Sequence, residues 1–160
     1  MRMEIFAIPI ALSVAMYPGD AGADQKSGIE AFRQGNFAAA FTALAPLARG
    51  GDATAQFYLA EMFLKGMEVP QDFIHARKWY QLAAEGGLPE AQAALAGLYL
   101  LGLGTKRDYQ AGYYWTVISV IWSNGRIREL AMRGLSEVSR TLEPQDKADI
   151  ARDAAAAWRR

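Results

Sequence analysis

The chain contains no cysteine and a single histidine, His75. The first absence excludes disulfides, thiolate metal sites, cysteine nucleophiles and lipid attachment through cysteine. The second leaves no set of imidazoles from which a zinc site could be built. Charge of one sign is lacking too, since 17 basic side chains face 17 acidic ones. A balanced surface gives no electrostatic reason to expect nucleic acid or an anionic membrane as partner. There is no Gly-x-Ser-x-Gly, no Ser-x-x-Lys, no phosphate loop and no His-Glu-x-x-His, so the usual marks of an enzyme are missing. Neither a metal nor a cofactor is expected. Two carboxylates could still converge in space, Glu61 and Glu90 being an example.

What is present is apolar side chain: 52% of the 160 residues, enough for one domain with a core. The first 23 residues differ from the rest. Arg2 precedes an apolar run from Ile5 to Met16. Tyr17-Pro-Gly-Asp breaks the pattern, and Ala21-Gly22-Ala23 offers small residues ahead of Asp24. That order is the order of a Sec-type signal peptide, with a cut before Asp24. The run is too short to span a bilayer comfortably. Residues 1–23 are therefore expected to be a leader, and residues 24–160 a periplasmic or secreted domain with no membrane span. Removing the leader takes away Arg2, Glu4 and Asp20, leaving 16 basic and 15 acidic groups.

Residues 55–66, Ala-Gln-Phe-Tyr-Leu-Ala-Glu-Met-Phe-Leu-Lys-Gly, align with residues 91–102, Ala-Gln-Ala-Ala-Leu-Ala-Gly-Leu-Tyr-Leu-Leu-Gly, at an offset of 36. The same offset sets Asp72, Phe73, Ala76 and Trp79 over Asp108, Tyr109, Gly112 and Trp115, and Asn36, Phe37 and Ala40 before them. Each recurrence has a physical role. Leu59, Ala60 and Phe63 repeat at helical spacing, giving a first helix (A) with one apolar stripe. Gly66 and Gly102 stand where that helix should stop. Asn36, Asp72 and Asp108 can cap a second helix (B), their short oxygens accepting the unpaired N–H groups of its first turn. Ala40, Ala76 and Gly112 allow close approach, and the glycine pairs 50–51 and 86–87 end helix B.

The pattern predicts helices near 27–35 and 37–50, 53–65 and 72–86, 89–101 and 108–123, and a last pair near 127–141 and 144–159. Glu143 is the expected cap of the final helix, with Pro144 at its first position. Such pairs bury their apolar faces only by stacking, which makes the fold all-α, a solenoid of antiparallel helix pairs. The repeats fall at about 28–51, 53–87 and 89–124, with a capping pair at 127–159.

Residues 55–87 resemble a Sel1-like repeat, a relative of the tetratricopeptide repeat. The alanine-rich first helix, the link Gly66-Met-Glu-Val-Pro-Gln-Asp72 and the run Ala76-Arg-Lys-Trp-Tyr-Gln-Leu-Ala-Ala-Glu-Gly86 carry the likeness. Residues 91–124 are similar but diverged, and residues 28–51 look closer to a plain tetratricopeptide unit. The resemblance implies a right-handed α/α superhelix and a non-catalytic scaffold or adaptor of the bacterial cell envelope. It also implies that the A helices line a concave face holding another protein or a peptide. Counting along those helices, the candidate contacts are Ile29, Arg33, Thr54, Phe57, Glu61, Lys65, Glu90, Ala93, Gly97 and Leu101. Phe57 and Leu101 could equally fill the core between repeats.

The alternative is a module binding peptidoglycan or another glycan through exposed aromatics. Trp79 and Trp115 occupy the same repeat position, beside residues that pack between helices, and are expected in the core. His75 has no evident partner within its helix turn to orient it, so a surface or partly packed histidine is expected. Arg126, Arg128, Arg133 and Arg140 are interrupted by Glu129 and Glu137, which suits a solvated helix face. Residues 113–122 are apolar almost all round a helix. The last pair is expected to cover them, the other cover being a second copy of the chain in a homodimer.

Overall fold

The computed structural model describes residues 21–157. They form eight α-helices and no strand: α1 (Ala21–Arg33), α2 (Phe37–Arg49), α3 (Ala53–Lys65), α4 (Phe73–Glu85), α5 (Pro89–Leu101), α6 (Tyr109–Trp122), α7 (Gly125–Val138) and α8 (Pro144–Ala157), with one 3₁₀ turn at Ser139–Thr141. None of these helices is long and apolar enough to cross a membrane. Of the leader expected at residues 1–23, residues 1–20 lie outside the described residues. Helix α1 begins at Ala21, well before the expected 27, so a cut before Asp24 would fall in its first turn.

Most ends are set by the expected residues. The Asn36 side chain accepts from the Ala39 N–H, Asp72 from those of Ile74 and His75, and Asp108 from that of Ala111. Asp52, which the repeat pattern did not single out, caps α3 through the Ala55 N–H and also takes both of its carboxylate oxygens to Gln25 on α1. Gly66 and Gly102 end α3 and α5 in the left-handed conformation, at φ 69° and 72°, where a Cβ would be strained. The link between α1 and α2 is only Gln34–Asn36, whereas α3–α4 and α5–α6 have the longer loop.

From α1 to α7 each helix packs on the next, and α8 packs on α6. Three apolar clusters result. One joins α2 with α3 around Leu44, Leu59 and Met62. The second joins α3, α4 and α5 around Ala60, Tyr80, Ala83 and Leu95. The third joins α6 to the last pair around Tyr113, Ile118, Val138 and Ala154. Small residues make the close approaches: Ala40 and Ala76 are fully buried, and a Cβ on Gly112 would run into the Leu100 side chain. Two buried glutamines bind successive pairs together. Gln56 donates from α3 to the Ala48 carbonyl at 3.0 Å, and Gln92 from α5 to the Ala84 carbonyl at 3.3 Å. Each adds a further hydrogen bond to a carbonyl in the last turn of the preceding B helix that already accepts from the N–H of Gly51 or Gly87.

The apolar helix α6 is covered by its own partner α5 and by α7 and α8 of the last pair. Thr116, Val117, Ile118 and Ser119 are buried, while Ile121 and Trp122 at its end stay about half exposed.

Candidate functional site

Phe57, Glu61 and Lys65 stand one turn apart on α3, and the structure gathers them around a residue the sequence did not flag, Tyr80 of α4. The Phe57 ring meets the Tyr80 ring edge-on, with centroids 5.7 Å apart. The Tyr80 hydroxyl donates to the Glu61 carboxylate, whose other oxygen pairs with the Lys65 ammonium. Tyr80 is fully buried. That burial, then its hydrogen bond to Glu61 and the carboxylate charge, push its phenol well above the usual tyrosine range. A neutral, buried hydroxyl thus fixes Glu61 in a charge-assisted bond.

The other candidates divide. Ile29 packs, half-buried, against the cluster between α2 and α3, away from the one Phe57 joins. Arg33 and Glu90 are exposed and Thr54 is half-buried. On α5, Ala93 and Gly97 are half-buried and Leu101 is 63% exposed. So of the two roles open to Phe57 and Leu101, Phe57 takes the core and Leu101 the surface.

A signal for Tyr80 did exist in the sequence. Moving 36 residues on replaces Tyr80 by Thr116 and Glu61 by Gly97. Both partners vanish together, as a pair in contact would. Thr116 turns its hydroxyl instead to the Gly112 carbonyl at 2.7 Å.

His75 requires a correction. It does have a partner one turn away: its Nδ1 lies 2.7 Å from the Asp72 carboxylate, and its ring stacks on Phe63 at 5.3 Å. Asp72 serves as cap and as imidazole partner at once. The His75 backbone N–H, then the imidazole, hold its carboxyl below the usual aspartate range.

Trp79 is packed against two of the apolar clusters, and Trp115 likewise against two. Both rings lie at boundaries between helix pairs, as expected. Arg126, Arg128, Arg133 and Arg140 are exposed together with Glu129 and Glu137. Among the described residues no group of three or more His, Asp or Glu side chains is placed to hold a metal ion.

Comparison with known proteins follows the same units. The model of the Sel1 repeat matches residues 53–88 and 89–116. The crystal structure of a protective antigen present in uropathogenic Escherichia coli strains, displaying an SLR fold, superposes with a TM-score of 0.76. Its sequence identity is 27%, over 85% of this chain and 30% of that one. A Sel1 repeat protein from Oxalobacter formigenes superposes with a TM-score of 0.57 at 21% identity, over 79% of this chain and 59% of that one. The chain therefore spans less than two thirds of either protein. No curated protein matches it.

Proposed function

We propose that this chain, which is a Sel1-like repeat protein, is a non-catalytic scaffold of the bacterial cell envelope. Sel1 repeats mediate protein–protein interaction in general. In the finer reading, a partner protein or peptide docks on the face made by helices α1, α3 and α5. The observation that carries this is the Phe57–Glu61–Lys65 group. Tyr80 holds Glu61 from below, so a charged pair is fixed beside a half-buried ring before any partner arrives. Such pre-organisation lowers the entropy lost on binding. Arg33 on α1 and Leu101 on α5 are exposed as well. Envelope placement rests on the leader-like order of residues 1–23.

The Trp79 indole is anchored between helix pairs, which favours a protein partner over a glycan. Tryptophan emission that ignores added muropeptides is the corresponding expectation. Within residues 113–122 the exposed side chains are Ile121 and Trp122, so self-association through this helix would centre on them. Analytical ultracentrifugation reads that directly.

The test of the scaffold reading is affinity capture from envelope extract by residues 24–160, beside a Lys65→Glu, Leu101→Asp variant. Both substituted side chains are exposed, so the variant keeps its fold. A protein retained by the natural chain, lost by the variant and bound again when purified supports the A-helix face. Equal retention by both forms sinks it.

A further inference from the structure

Three B helices, α4, α6 and α8, leave a shallow cleft of about 370 Å³ lined by Glu85, Tyr114, Trp115 and Ala157. Its lining comes from the helix layer opposite α3 and α5, so it does not depend on the reading above. Tyr114 and Trp115 meet edge to face, with ring centroids 5.3 Å apart and planes at 85°. Trp115 is also held by two apolar clusters, so the aromatic wall is rigid. Glu85, exposed at the last position of α4, supplies a carboxylate, one oxygen of which accepts from Gln81 at 2.9 Å. Burial, and after it the charge of Asp153 on α8, push the Tyr114 phenol above its ordinary range. A smaller groove beside it is lined by Lys78, Gln81, Leu82 and the same Glu85, so Glu85 stands between the two depressions, and Lys78 lines the second and not the first.

Rigid aromatic faces beside carboxylates attract a cation and repel an anion. A guanidinium suits the arrangement better than an ammonium. It is flat, sheds its weak hydration readily, stacks on an indole, and presents a fork of N–H donors to a carboxylate at the rim. We propose that this cleft binds an arginine side chain of another polypeptide, stacked on Trp115 and hydrogen-bonded to Glu85. The charge on the rim selects that occupant over an acidic or purely apolar segment. It also gives the scaffold a second docking point, on the opposite layer from the first.

The experiment is an NMR titration of the full chain with acetyl-Arg-Arg-amide, following the Trp115 indole N–H assigned by Trp115→Phe. Acetyl-citrulline-citrulline-amide has nearly the same shape without the charge and serves as control. The proposal expects a saturable shift of the Trp115 signal with the arginine peptide, little with the citrulline one, and affinity about tenfold weaker in Glu85→Gln. Circular dichroism confirms that this exposed substitution leaves the fold intact. Equal shifts with both peptides, unchanged affinity in Glu85→Gln, or movement confined to Trp79, Trp122 and Trp158 would overturn it. An Arg159→Gln, Arg160→Gln variant covers the remaining source of the same cation. Binding seen only in that variant would make the chain's own terminus the occupant, and the intermolecular site would be abandoned.

Discussion

Tyr80 on α4 gives its hydroxyl proton to a hydrogen bond with Glu61 on α3, joining the two helices of a pair across 19 residues of sequence. Replacing Tyr80 by phenylalanine keeps the ring and its contact with Phe57, and should cost about 1–2 kcal/mol in urea unfolding at neutral pH. The same bond shapes the alkaline limb. The folded phenol titrates above its unfolded value of about 10. Its share of stability is therefore complete below that pH and is lost as pH rises beyond it. Natural and Tyr80→Phe chains should differ less at pH 11 than at pH 7. A difference that stays constant would show that Tyr80 ionises like any free tyrosine.

Asp72 acts at the other end of the scale. Its carboxyl titrates below the ordinary aspartate value because the His75 N–H and imidazole hold the charged form. The stability it adds is present above about pH 4 and lost as pH falls through the lowered value. Asp72→Ala should cost about 1 kcal/mol at pH 7 as a lost cap, and the cost should shrink on acidification towards pH 2. Asp108→Ala removes the equivalent cap of α6, where Ala111 replaces the histidine, and gives the comparison without an imidazole.

Three glycine-to-alanine changes should separate by mechanism. At Gly104, with φ +69°, a Cβ would strike the backbone of Phe73 and Ile74, so a loss of about 3 kcal/mol is expected. At Gly112 the obstacle is the Leu100 side chain, which can turn away, and about 1 kcal/mol should be lost. At Gly97, inside α5, a Cβ meets nothing within 4 Å, and alanine should gain about 0.5–1 kcal/mol in helix propensity. Thermal melts that failed to rank the three in this order would refute the packing described for the 102–108 loop.

Glu68 is the one non-glycine residue with positive φ among those described, at 63°. Gly104 fills the same place in the next repeat. Glu68→Gly relieves a left-handed strain of about 1–2 kcal/mol and gives part of it back as unfolded-chain entropy. A net gain of about 0.5 kcal/mol by denaturant midpoint is expected. A loss would mean that the Glu68 side chain makes a stabilising contact.

Helix ends were readable because their determinants are local. Asn36, Asp72 and Asp108 cap from adjacent positions, and the left-handed glycines 66 and 102 end the A helices where the repeat places them. The His75–Asp72 contact was equally local, three residues apart on one face, and could have been read from spacing. The early start of α1 was obscured because Ala21-Gly22-Ala23 reads as a cleavage site as well as a helix. The candidate site was less legible. Which of Phe57 and Leu101 is covered depends on how α4 crosses α3 and on nothing beyond α5 reaching Leu101. Tyr80 carries no motif; only its joint replacement with Glu61 in the next repeat betrays the pairing. The cleft at Trp115 needs three helices distant in sequence, and no periodicity along one of them could announce it.

The glutamines at 56 and 92 each reach back 8 residues to a carbonyl at the end of the previous helix. Donor and acceptor are thus inherited together by almost any stretch of coding sequence that is copied. A tandem duplication of one 36-residue unit would arrive with its own fastening to the unit before it. Such a chain can lengthen by copying without inventing a new joint. The position 36 residues after Gln92 is Arg128, which is exposed, so the lineage of copies stops there and the closing pair is attached by other means.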